Sequence, residues 1–251
     1  MSAAGAFADL ARGGGRGALV TAIDGPAAGA KLLVDAGGAR TGSLGDPALD
    51  EQAAAAAVEL MWAERSERRG DLFVDACFPP PRLVVFGAVD LAAAVCRVAR
   101  VAGWRPFVVD PRAAFARPER FPDAEQVVAA WPEEALARLG GLDRASAIAV
   151  LTHDPKLDDA ALLLALRSEA GYIGAMGSRR AQAARRERLL ALGVDEHELE
   201  RISAPIGLDL GASSPEGTAL SIVAEILALR HGRSGGRLAV AGGPIHAAGA
   251  S

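Results

Sequence analysis

The stretch Arg82–Asp110, RLVVFGAVDLAAAVCRVARVAGWRPFVVD, constrains the fold more than any other part of the chain. Leu83–Phe86 is a short apolar run suited to a strand buried on both faces. Gly87 follows at its end. Asp90 can cap a helix whose apolar positions recur at Leu91, Val95, Val98 and Val101. Gly103 can close that helix before a second buried strand at Phe107–Val109. Strand, tight turn, helix and strand in that order form the opening βαβ unit of a doubly wound α/β domain. Asp110 lies 23 residues after Gly87, near the offset of roughly 20 at which an acidic residue reaches a dinucleotide ribose.

The turn departs from the dinucleotide fingerprint G-x-G-x-x-G. Gly87 and Ala92 suit its first and third places, but Val89 stands where a glycine lets backbone approach a pyrophosphate. A β-branched side chain crowds a phosphate there. Asp90 adds negative charge beside a helix N-terminus that otherwise attracts an anion. The fold is therefore better specified than nucleotide binding: Asp110 either takes a ribose hydroxyl or fixes the turn at Arg112.

The 251 residues fit one large or two modest domains. The formal net charge of −4 and isoelectric point near 5.6 argue against nucleic acid as the main partner. No apolar run approaches the roughly 18 residues a bilayer span needs. The opening MSAAGAFADLARGGGRG lacks a basic segment followed by an apolar one, so no secretion signal is expected. Cys77 and Cys96 form no metal motif, and a reducing, cytoplasmic compartment is the simplest expectation. Cys96 reads as core, and Cys77 precedes a stiff joint, Pro79-Pro80-Pro81, where a domain boundary is expected.

Residues 1–17 read as small, Gly-rich and mobile. Ala18–Ile23, Lys31–Asp35 and Asp71–Ala76 read as strands, and Pro47 opens an alanine-rich helix to about Ser66. Arg65–Gly70 reads as a charged connection. Beyond Asp110, Gln126–Ala129 is a short apolar stretch, and strands are expected at Ala145–Leu151 and Gly171–Met176. Helices are expected at Pro132–Leu139, Leu157–Arg167, after Arg180 to Leu192, and from Ser214 to Arg230. The expected domains are 1–80, 82–232 and a flexible Gly/Ala-rich tail, 233–251.

In such sheets ligands bind beyond the carboxyl ends of the strands. Polar groups gather there: Asp110-Pro111-Arg112, Thr152-His153-Asp154, Gly177-Ser178-Arg179-Arg180, and Gly207 with Asp209. His153 can donate to an anionic or pterin-like ligand, shuttle a proton, or be tied into its own loop with Asp154 capping the next helix. The Gly177–Arg180 turn can hold a phosphate. Asp158 and Asp159 are best explained as first-turn residues facing the helix dipole, and Arg185, Arg186 and Arg188 as a solvated face.

Six blocks together resemble the XdhC/CoxI family: LVVFGAVDLAAAV, GWRPFVVDPRAAFARPERFPDAEQVV, AIAVLTHDPKLDDAALLLAL, AGYIGAMGSRRA, APIGLDLGASSPEGTALSIVAEILALR and GGPIH. The resemblance implies a Rossmann-like C-terminal domain after a small α/β N-terminal domain. It also implies an accessory factor for molybdenum hydroxylases of the xanthine dehydrogenase or CO dehydrogenase type. Such a factor is a cofactor chaperone more than an enzyme: it binds the molybdenum cofactor transiently and presents it for sulfuration and insertion. The implied partners are the apo-hydroxylase, a cysteine desulfurase and a second copy of the chain. The cofactor-binding candidates are Gly87, Asp110, Arg112, Thr152, His153, Asp154, Gly177, Ser178, Arg179 and Gly207, with no catalytic or metal-ligating residue. The family's usual Gly-Gly-Gly-Cys-like turn is here Gly45-Asp46-Pro47-Ala48, its Cys-Gly-Gly stretch is missing, and its Gly-Ala-Gly-His is Gly87-Ala88-Val89-Asp90. Two alternatives follow from these departures: an NAD(P)-binding oxidoreductase, or a partner-binding paralogue whose cofactor site has been emptied.

Overall fold

The computed structural model describes residues 2–242. The chain divides into two compact units at Pro79/Pro80. The last part of the Gly/Ala-rich tail, including most of the GGPIH block, lies outside the described residues; within residues 233–242 there is one short 3-10 turn at Leu238–Val240.

The first unit runs α1 (Ala3–Arg12), β1 (Gly17–Ala22), β2 (Lys31–Asp35), β3 (Arg40–Ser43), α2 (Pro47–Trp62), β4 (Glu67–Arg69) and β5 (Leu72–Cys77). Its five strands form an antiparallel sheet in the order β3-β2-β1-β5-β4. Alternate residues of a strand face opposite ways, so Ala18, Val20 and Ala22 pack with Ala53, Ala57 and Leu60 of α2. Leu19 and Leu33 pack instead with Ala3, Ala6, Phe7 and Leu10 of α1. The expectation that residues 1–17 are mobile is corrected here. Their apolar residues fall at helical spacing, and the Ser2 hydroxyl caps the first turn by accepting the Gly5 amide. Part of the Arg65–Gly70 connection is likewise strand β4. Arg16 is buried beneath the end of α2: Nη1 donates to the Met61 carbonyl at 2.7 Å, Nη2 to Glu64 at 2.8 Å, and the guanidinium lies 4.7 Å from the Trp62 ring. A cation at a helix C-terminus satisfies a carbonyl that has no intrahelical partner.

The second unit runs β6 (Arg82–Phe86), α3 (Asp90–Val101), β7 (Arg105–Val109), β8 (Gln126–Val128), α4 (Pro132–Arg138), β9 (Ala147–Val150), α5 (Pro155–Leu166), β10 (Tyr172–Ala175), α6 (Arg179–Ala191), α7 (Glu196–Leu199), β11 (Ile202–Ser203) and α8 (Pro215–Arg230). All of its strand pairs are parallel, in the order β11-β10-β9-β6-β7-β8. Counted from β6, this is the doubly wound order 6-5-4-1-2-3. The direction of winding reverses between β6 and β9, which places the switch point at the ends of those strands. Leu83, Val85, Ala147 and Ala149 pack on one face with α3 and α8. Val84, Phe86, Ile148 and Val150 pack on the other with α4, α5 and α6. The sheet is therefore covered on both sides, as its continuous apolar strands require. α7 and β11 carry too little periodicity to be read from sequence. Asp90 is not the cap of α3: Val89 holds that place, and Asp90 is the first helical residue, paired with Arg120.

Leu162 lies fully buried in the layer under α5. Leu162→Ala should lower unfolding free energy by about 2–5 kcal/mol in denaturant titration. Val101→Ala, on the exposed end of α3, should change it by less than about 0.5 kcal/mol.

Candidate functional site

Three of the four polar groups expected at strand ends closely follow β7, β9 and β10, while Gly207 lies four residues past β11. Gly87 ends β6 with φ +111° and donates its amide to the Val109 carbonyl at 2.8 Å. A Cβ there would lie 2.6 Å from the Thr152 Cγ2 and 3.1 Å from the Thr152 amide nitrogen. The glycine is thus demanded by the packing of two strand ends as well as by its positive φ.

Asp110 follows β7 and is fully buried. Its Oδ2 accepts the Ala88 amide at 2.9 Å and Arg112 Nη2 at 2.7 Å; its Oδ1 accepts the Arg112 amide at 2.9 Å and Arg112 Nε at 2.8 Å. Of its two sequence readings, the structure shows the second: the carboxylate fixes the Arg112 turn and the backbone after Gly87. Burial pushes this carboxyl up, but the Arg112 guanidinium and the two amides outweigh burial and hold it below the ordinary value of 3.8. Arg120 secures the same turn from outside, donating to the Ala88 carbonyl at 2.9 Å and to Asp90 at 2.8 Å. No sequence pattern announces that role for Arg120.

Thr152 is buried after β9, and its hydroxyl is committed: it donates to Asp158 Oδ1 at 2.7 Å and accepts the Asp154 amide at 2.9 Å. Asp158 Oδ2 accepts Arg185 Nη2 at 2.9 Å, and Arg185 Nη2 also donates to the Met176 carbonyl at 2.9 Å. Arg185 further donates to Gln182, whose amide reaches the Ala175 and Gly177 carbonyls at 3.3 and 3.2 Å. One expectation is corrected here, and one is extended, since Asp158 does stand in the first turn of α5. Arg185 is only 5% exposed and does not belong to a solvated face. Asp158 and Asp159 are partners of α6, Asp159 holding Arg188 through two bonds of 2.7 and 2.9 Å. Arg186 is exposed and pairs with Glu196. Burial pushes the Asp158 carboxyl up, with Thr152 and Arg185 opposing it incompletely. The signal for this network was present: Asp158 shares a helical stripe with Leu162 and Ala165, and Arg185 shares one with Leu189.

The remaining candidates divide in two. His153 is exposed beside the switch point, and Asp154 caps α5 by accepting the Lys156 amide at 3.0 Å. Gly177 has φ +138°, and Ser178 caps α6 by accepting the Ala181 amide at 3.3 Å. The amides of Arg179 and Arg180 precede the first intrahelical bond. The side chains of His153, Arg179 and Arg180 make no hydrogen bond or ion pair among the described residues. Gly207, by contrast, serves packing. Its φ is +102°, a Cβ would lie 2.5 Å from Ser221 Oγ, and its amide donates to Glu225 at 2.9 Å. Glu225 also accepts the Tyr172 hydroxyl. Burial first and Glu225 second push that phenol far above its ordinary value. Cys96 is buried, its thiol pushed up to about 12 by burial, and Cys77 is half-buried with its thiol also raised. A separate hollow of about 290 Å³ lies among α6, α7 and Ile202–Ala204; Gly87, Asp110, His153 and Arg179 do not line it.

A doubly wound parallel sheet carrying a strand-end rim of this kind defines a Rossmann-like unit. The XdhC Rossmann domain matches residues 83–226, and the chain belongs to that family. It is 32% identical over 160 residues to a Bacillus subtilis protein named as a probable subunit of xanthine dehydrogenase, covering 64% of this chain and 46% of that one. It is 27% identical over 152 residues to the Escherichia coli molybdenum cofactor insertion chaperone PaoD, covering 61% and 41%. The Escherichia coli protein YqeB, uncharacterised, is 31% identical over 156 residues, covering 62% and 28%. The chain thus spans less than half the length of these relatives. A crystal structure described as a xanthine dehydrogenase from Bacillus halodurans shares the fold, with TM-score 0.62 and 24% identity over 88% of this chain and 64% of that one. No helix among the described residues is long and apolar enough to cross a membrane.

Asp110→Asn should cost about 1–3 kcal/mol of stability at pH 7. Because the folded carboxyl titrates below its unfolded value, the stabilisation is complete above pH 3.8 and is lost as pH falls through the folded value. The gap between wild type and variant in urea unfolding should therefore shrink towards pH 3. Arg185→Met, which leaves Asp158 buried and unpaired, should cost about 3–5 kcal/mol at pH 7, with Asp158→Asn on the same background recovering part of it.

Proposed function

We propose that this chain is a maturation factor that binds the molybdenum cofactor and delivers it, for sulfuration and insertion, to a hydroxylase of the xanthine dehydrogenase or CO dehydrogenase type. The names of two relatives support the class of function. What carries the reading on this chain is the uncommitted donor set at the strand ends: the free amides at the start of α6, Arg179, Arg180 and His153. The cofactor is a pterin bearing a phosphate, and that donor set suits it. Amides at a helix N-terminus and guanidinium groups suit the phosphate, and His153 with Asp154 offers mixed donors and acceptors for the pterin edge. Gly87 and Thr152 serve this reading by shaping the rim, since their own polar groups are committed. The partners proposed are the apo-hydroxylase, a cysteine desulfurase and a second copy of this chain.

The oxidoreductase alternative is weakened by Asp110, whose carboxylate is fully used, and by Tyr172, whose hydroxyl is buried on Glu225. Size-exclusion chromatography after anaerobic incubation with free molybdenum cofactor tests the proposal. Pterin should travel in the protein peak. Arg179→Ala should reduce its retention about tenfold or more, and His153→Ala by a smaller factor. NADH should not co-elute. Absence of pterin from the peak, or full retention in both variants, overturns the reading.

A further inference from the structure

The five-stranded sheet of the first unit is covered unevenly. On one face it packs with α2. On the other, α1 covers Leu19 of β1 and Leu33 of β2. The next positions of that face, two residues along each strand, are Thr21 and Lys31. Thr21 pairs with Lys31 on one side and with Phe73 on the other, and Phe73 pairs in turn with Arg68. Lys31, Thr21, Phe73 and Arg68 thus form one row across four strands. Phe73 is 39% exposed, and Ile23, diagonal to it, is 43% exposed. Along the chain the same face carries Asp71 and Asp75, two residues to either side of Phe73, and both are exposed. Lys31 Nζ donates to the Thr21 hydroxyl at 3.0 Å, Arg68 Nε to the Gly70 carbonyl at 2.8 Å, and Asp75 accepts the Ser66 hydroxyl at 3.1 Å. Among the described residues, Lys31, Arg68, Asp71 and Asp75 form no ion pair.

These charges form a cross centred on an exposed phenyl ring. The acids lie on the axis along the strand, about 7 Å to either side of Phe73 at ordinary strand rise. The cations lie on the axis across the strands, Arg68 about 5 Å from Phe73 and Lys31 about 10 Å on the other side. A quarter-turn exchanges acid for cation, so the face is complementary to itself. A two-fold axis in the plane of the sheet, at about 45° to the strands, lays one face on its copy with the strands crossing near a right angle, an ordinary packing of two sheets. It sets Phe73 on Phe73, Arg68 of each copy opposite Asp71 of the other, and Lys31 opposite Asp75. A partner charged with one sign would meet two like charges whichever sign it carried. We propose that this face of the first unit docks a second copy of the chain in a two-fold contact centred on Phe73. The inference gives a surface to the self-association included in the maturation-factor reading and rests on that reading for nothing else. The apolar contact supplies affinity and the charges fix the crossing. A patch centred on one ring suits an association that depends on concentration.

Sedimentation velocity of the full chain between about 1 and 200 µM tests this. The protein should pass from monomer to dimer across that range, and Phe73→Lys should remain monomeric throughout. Arg68→Asp should weaken association about tenfold or more. Arg68→Asp combined with Asp71→Arg exchanges the two signs and should restore association to within a few-fold of wild type, a recovery that a folding defect cannot imitate. A wild-type monomer at every concentration, a species larger than a dimer, a dimer that survives Phe73→Lys, or no recovery in the double variant would each overturn the proposal. Retention of the molybdenum cofactor, measured on the same samples, separates the two readings. Dimerisation with no retained pterin overturns the maturation-factor reading alone, and retention by a chain that stays monomeric overturns only this inference.

Discussion

The approach of the Gly87 backbone to Thr152 is the contact on which the whole carboxyl edge depends. It is too close for any side chain, since a Cβ would meet the Thr152 methyl at 2.6 Å. It joins the ends of the two strands between which the sheet changes direction. From Thr152 a continuous run of polar contacts passes to Asp158, to Arg185 and to the Met176 carbonyl at the end of β10. From Gly87 another passes through Ala88 to Asp110 and Arg112 at the end of β7. Four strand ends are thereby held in one arrangement by backbone proximity first and by charge second. Interiors packed at crystal-like density transmit such constraints without slack.

The two buried aspartates show how place decides charge. Asp110 and Asp158 both lose their water, and both face an arginine. Asp110 also accepts two backbone amides and takes its guanidinium through two parallel bonds, so the ionised form prevails. Asp158 takes a single guanidinium bond and one hydroxyl, and burial is not fully offset. The difference is the count and geometry of donors, not the residue type. The first arrangement stiffens the turn after β7; the second ties α5 to α6.

Much of this was legible in the sequence, for physical reasons. Short apolar runs ending in glycine or in Thr152-His153-Asp154 carry the strand ends directly, so the fold and the location of the rim could be read from residue order. The β7 end could be narrowed to two readings but not resolved, because only the bond lengths around Asp110 show that its carboxylate is spent on Arg112. The α5–α6 network was missed because its partners lie 27 and 29 residues apart in the chain. Asp158 occupying an apolar stripe was the overlooked sign, since a charge on a buried face demands a partner. Helix α1 was missed for a different reason: glycine and alanine lower its apparent order, while the close packing that small residues permit stabilises it on Leu19 and Leu33.

One consequence of the strand lengths concerns solubility. A chain with 51% hydrophobic residues and two open sheets presents four outer strands. All four are short or charged: Arg40–Ser43 and Glu67–Arg69 bound the antiparallel sheet, Gln126–Val128 and Ile202–Ser203 the parallel one. Each offers only a few free backbone groups to a neighbouring molecule, and the two in the first unit carry arginine or glutamate. Long apolar strands sit in the middle of both sheets, where no foreign strand can pair with them. The chain thus keeps its most apolar strands in positions already hydrogen-bonded on both sides.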